Sequence, residues 1–105
     1  MTSGELEKLV KTLKALANPL RLKMIAKLSK EPQHAYALAK NLGISYPLAH
    51  LHLKGLKKMG LIEEIKNLKR SDALPTVKIY APTGFELVIT PQMIQEKVNY
   101  EEEKK

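Results

Sequence analysis

The segment NLGIS, residues 41–45, leaves few options for what surrounds it. Gly43 suits the left-handed position just past a helix, a backbone conformation that glycine adopts without penalty. Ser45 suits the N-cap of the next helix, because its hydroxyl accepts from an otherwise unpartnered backbone N–H. Only Ile44 separates these two signals, so two helices meet at a tight turn. The upstream helix is short, about 34–41, with Ala35, Leu38 and Ala39 inward. The downstream helix runs about 46–59 and is stopped by Gly60.

The rest of the chain supplies the surroundings. Leu6, Leu9, Val10, Leu13, Leu16 and Ala17 follow i, i+3, i+4, i+7 spacing, which predicts an amphipathic helix over about 4–17. Thr2 with Glu5 has the spacing of a capping box. Asn18-Pro19 starts a second helix, lined by Leu20, Met24, Ile25 and Leu28. Beyond Gly60 the period changes from helix to strand. Ile62 to Lys66 and Thr76 to Ala81 read as two strands, with Val77, Ile79 and Ala81 alternating against Lys78 and Tyr80. Phe85, Leu87 and Ile89 alternate again, so a third short strand is possible. Thr90-Pro91 opens a last helix, about 91–103. The predicted fold is mostly α with a small β-hairpin, in the order α-α-α-α-β-β-α. It reads as one domain spanning residues 1–105, a winged helix-turn-helix.

Charge narrows the partner. The net charge is +7, and between Arg21 and Tyr80 twelve Lys and Arg stand against four acids. A basic middle favours a polyanion, nucleic acid first. A solvated lysine-rich surface, common in heat-adapted proteins, has the same composition. There is no cysteine, which removes disulfides, thiolate metal sites and thiol nucleophiles and fits a reducing compartment. The polar, charged start MTSGELEKLV does not read as a secretion signal, and no apolar run approaches the roughly 18 residues of a membrane span. The expectation is a soluble, cytoplasmic protein without membrane contact.

At about 100° per residue, the helix after the turn has two sides. Leu48, Ala49, Leu51, His52, Leu53, Gly55, Leu56 and Met59 fall in one broad sector. Tyr46, Pro47, His50, Lys54, Lys57 and Lys58 fall in the other. No acid occurs from Gln33 to Ile62, whereas a solvated helix face usually mixes signs to avoid repulsion. Such a face suits phosphates. The first turns of a recognition helix reach base edges, which assigns Tyr46, Pro47, His50 and Lys54 to base reading. Gln33, His34, Ser45, Lys57 and Lys58 are expected on the DNA backbone, and Lys66, Lys69 and Arg70 in the wing.

His50-x-His52 looks like a metal pair in print. Two residues apart on a helix the rings lie about 200° apart, whereas helical zinc pairs use i, i+4. No metal or cofactor is expected. His52 reads as a packed histidine with one hydrogen-bond partner, and His50 as the functional one. Catalysis finds no support: the one Asp, Asp72, sits in a loop, and no nucleophile–base arrangement or phosphate-binding glycine loop is present.

With these residues in view, the chain resembles the ArsR-type winged-helix transcription regulators. LKALANPLRLKMIAKL (13–28) is similar to their second-helix signature, and LAKNLGISYPLAHLHLKGLKKMGLI (38–62) to their helix-turn-helix. The tail GFELVITPQMIQEKV is similar to an archaeal branch. The resemblance implies a homodimer that binds operator DNA as a repressor, with the first and last helices forming the interface. Leu6, Leu9, Val10, Leu13, Leu16, Ile94 and Val98 are the candidates for that contact, although the leucine stripe also fits packing within one protomer. Metal-sensing members carry Cys-x-Cys followed by an acid on the first helix of the motif. His34 and Tyr36 stand at the matching cysteine positions and Ala37 where the acid would be, so metal sensing does not carry over. The rival readings are a nonspecific chromatin-type DNA binder and a winged-helix module that binds protein.

Overall fold

The computed structural model describes residues 4–65 and 78–103. The elements are α1 (Glu5–Leu16), α2 (Pro19–Lys30), α3 (Ala35–Leu42), α4 (Tyr46–Lys58), β1 (Ile62–Ile65), β2 (Ile79–Pro82) and α5 (Pro91–Glu103). Local chemistry sets most of these boundaries. Asn18 Oδ1 accepts from the N–H groups of Leu20 and Arg21 at 2.9 and 3.3 Å, and Pro19 opens α2 without wasting a donor. Gly43 closes α3 in the left-handed region at φ 70°, and its N–H returns to the carbonyls of Ala39 and Lys40. Ser45 Oγ then accepts from Leu48 N at 3.3 Å and caps α4. Gly60, at φ 79°, ends the run beyond α4.

The core forms where α2, α3, α4 and the strands meet. Met24, Leu28, Leu38, Leu53, Leu56 and Ile62 are fully buried there, each contributing about 1.5–3 kcal/mol of hydrophobic stabilisation. Ala35, Leu38 and Ala39 face inward as their spacing predicts. α1 packs against both α2 and α5. The α1–α5 contact carries an ion pair, Glu5 to Lys97 at 2.8 Å.

The structure corrects four expectations. Thr2 lies outside the described residues; Gly4 occupies the N-cap of α1 with no side-chain cap bond, and the Glu5 carboxylate turns to Lys97 instead. The third strand over Phe85, Leu87 and Ile89 does not form; its backbone pairs with no strand among the described residues. The third member of the sheet is a single bridge from Gln33, which exchanges both backbone hydrogen bonds with Tyr80 (3.2 and 2.8 Å). On β2 the buried residue is Tyr80, with Ile79 and Ala81 half-buried, since the register pairs Tyr80 with Glu64 and turns it onto the core beside Ile62. Finally, Leu51 and Leu48 are exposed. The buried stripe of α4 is the narrower set Ala49, Leu53 and Leu56, which leaves Leu51 facing away from the core.

Candidate nucleic-acid interface

α4 is fixed on three sides: by the Ser45 cap, by packing against α3, and by one long-range side-chain bond. Arg21 on α2 donates from Nε to Nδ1 of His52 at 3.0 Å. Accepting at Nδ1 places the imidazole proton on Nε2 and requires a neutral ring. Burial, followed by the charge of Arg21, lowers the His52 pKa below the usual histidine value, consistent with that role. His52 is thus the packed histidine with one partner. His50 points elsewhere: its ring stacks on Tyr46, centroids 5.9 Å apart and planes 20° off parallel. The two histidines serve different sides of the helix.

The opposite side of α4 is open. Tyr46, Pro47, His50, Lys54, Lys57 and Lys58 are all exposed, and Leu51 stands among them at 63% exposure. Sequence spacing places Leu51 inward; only the narrow buried stripe reveals that it belongs to the outer face. Around the N-terminal end of α4, His34, Tyr36, Tyr46, His50, Lys78 and Tyr80 line an open cleft of about 350 Å³. Tyr36 and Lys78 carry no sequence signal for this position, because α3 and β2 bring them there.

The backbone-contact candidates differ in their freedom. Ser45 accepts a bond from its own helix, which leaves its O–H proton able to donate outward. His34 caps α3, its Nδ1 accepting from Ala37 N at 3.2 Å, so in the neutral ring Nε2–H is the outward donor. Gln33 uses Oε1 to accept from Asn41 at 2.7 Å and keeps its NH₂. Lys57 forms an ion pair with Glu64, which Lys78 also approaches at 3.8 Å. The hydrogen bond from Lys57 lowers the Glu64 pKa, and the same bond raises that of Lys57. Two ammonium groups therefore share one carboxylate at this edge. Among the described residues Lys54 and Lys58 have no ion pair. The wing residues Lys66, Lys69 and Arg70 lie outside the described residues. Among the described residues no three His, Cys, Asp or Glu side chains converge as metal ligands, and no helix is long and apolar enough to cross a membrane.

A short helix, a glycine turn and an open basic helix beside an antiparallel strand pair match known regulators. Residues 18–64 match the family described as bacterial regulatory protein, arsR family. An uncharacterised HTH-type transcriptional regulator of Methanocaldococcus jannaschii is 36% identical over 86 residues, covering 82% of this chain and 87% of that protein. The chain belongs to the ArsR family. As an ArsR-family protein it is a DNA-binding transcription regulator with the winged helix-turn-helix fold. Solved structures repeat the fold. An ArsR-like transcriptional regulator from Rhodococcus superposes with TM-score 0.65 at 23% identity, covering 99% of this chain and 83% of that one. A homodimeric winged helix-turn-helix DNA-binding domain from Mycobacterium bovis gives 0.61 at 23% identity, covering 94% and 80%. The transcriptional repressor BigR from Xylella fastidiosa gives 0.62 at 19% identity, covering 94% and 88%.

Proposed function

We propose that this ArsR-family regulator is a cytoplasmic homodimeric repressor that reads a near-palindromic operator. The acid-free outer face of α4 carries this reading. Tyr46, Pro47, His50 and Lys54 enter the major groove, where an exposed apolar side chain such as Leu51 also suits a thymine methyl group. Ser45, His34, Gln33 and Lys58 hold adjacent phosphates, and Lys66, Lys69 and Arg70 reach the flanking backbone from the wing.

Two-fold pairing is supported by apolar surface on the terminal helices. Val10 on α1 and Ile94 on α5 are 39% and 43% exposed, and Leu6, Leu13 and Val98 are half-buried. Leu9 is buried within the protomer, and Leu16 packs on its core, so these two hold α1 in place rather than face a partner. A dimer of this form sets its recognition helices about 34–36 Å apart.

Footprinting on the DNA upstream of the gene, with light-scattering mass in parallel, tests the proposal. A protected pseudo-palindrome and a mass of two chains are expected. Equal affinity for that region and for random duplex would leave a nonspecific chromatin-type binder.

A further inference from the structure

Beside the reading face lies a second basic feature. α1, the start of α2 and the second half of α4 border a shallow, open cleft of about 340 Å³. Four cations line it: Lys11 and Lys14 from α1, Arg21 from α2 and Lys58 from α4. Its floor is apolar, made by Ala15, Gly55 and Met59. Among the described residues no acid lines it, and Glu7 meets Lys11 at 3.7 Å only in a solvent-exposed pair of little energetic weight.

Arg21 is the organised element. Nε donates to His52, and Nη1 lies 3.5 Å from the Ala15 carbonyl oxygen. The guanidinium rests over Gly55 so closely that a Cβ there would sit 3.1 Å from Nη2. Neither side-chain nor backbone partner carries a negative charge, so a held guanidinium keeps its full positive charge. A planar, oriented guanidinium with spare N–H groups fits a phosphate oxygen pair. Lys58 belongs both to this cleft and to the outer face of α4, so the two basic surfaces are continuous.

We infer that this cleft is a second DNA-backbone site, which grips a phosphate beside the groove that α4 enters. The inference rests on the DNA-binding function but not on base reading. The duplex is favoured over a free anion because the cations continue onto the reading face instead of closing around one point.

The test uses the full chain, with Lys11→Ala and Lys14→Ala combined. Both side chains are exposed on α1, so the melting temperature and the oligomeric mass should match wild type. Binding to a duplex of about 40 base pairs is followed from low to moderate salt. Each neutralised phosphate contributes about 0.9 to the slope of log affinity against log salt, so losing the one phosphate gripped by a cleft should flatten that slope by up to about 0.9 for each cleft engaged. An unchanged slope overturns the inference while leaving the α4 reading intact; failure of wild type to bind any duplex would instead remove its premise. Amide chemical shifts give the second arm. Duplex should move the amides of Lys11, Lys14 and Gly55. Inorganic phosphate moving them while duplex leaves them still would reassign the cleft to a small anion.

Discussion

Arg21 Nε donates to His52 Nδ1 across 3.0 Å, joining α2 to the inner edge of α4. The bond exists only while His52 is neutral, and its pKa is held below the ordinary 6.5 by burial and by Arg21. The unfolded chain therefore takes up a proton at a pH where the folded chain does not. Stability is complete above about pH 6.5 and is lost as pH falls from there towards the lower folded value. Urea midpoints at about pH 7.5 and 5.5 should fall further for wild type than for His52→Gln, whose side-chain oxygen still accepts from Arg21. Identical pH dependence of the two proteins would show that His52 does not titrate against this contact.

Leu51 separates a reading helix from a core helix. A buried leucine changed to alanine costs about 2–5 kcal/mol. Leu51, 63% exposed, should cost within about 0.5 kcal/mol when changed to Ala, yet the variant should lose affinity for the operator. Lys54→Ala should weaken operator binding by about 1–3 kcal/mol if it makes a base contact. Melting curves and operator titrations of the same preparations check both. A large loss of stability in Leu51→Ala would place that side chain in a packed environment.

Glu64 restrains the cations at the strand edge. Lys57 and Lys78 both face its carboxylate, and Lys57 donates to it. Glu64→Gln should raise affinity for operator and random duplex alike, and steepen the salt dependence, because both ammonium groups then answer to phosphate. Competition between the two duplexes measures this. A gain confined to the operator would mean that Glu64 governs base reading.

Gly43 sets the turn through its backbone alone. At φ 70° nothing lies within 4 Å of where its Cβ would be, so the cost of substitution is conformational and not steric crowding. Gly43→Ala should destabilise by about 1–2 kcal/mol, and Gly43→Asn by less, since Asn tolerates the left-handed region. Chemical denaturation orders the three proteins; equal stability of Ala and Gly would contradict the backbone origin of the effect.

Much of this was legible because it is local. The Asn18 and Ser45 caps and the Gly43 and Gly60 stops act within a few residues, and each lies where the sequence places it. The rotation of α4 was less legible. A wheel assigns Leu51 inward by its apolarity, but the core accepts only the stripe of Ala49, Leu53 and Leu56. The alternation of Phe85, Leu87 and Ile89 likewise has the period of a strand, yet it pairs with no strand among the described residues, and Gln33 takes the place beside Tyr80.

The sequence by itself determined where helices start and stop, and that no acid stands between Gln33 and Ile62, because capping and composition need no distant partner. Only the tertiary structure decided which cations remain available. Glu64 comes from β1 to occupy Lys57, and Arg21 comes from 31 positions away to hold His52 and hang over Gly55. Charge pairing acts through space, and residues far apart in the chain become neighbours only when the core fixes the elements that carry them.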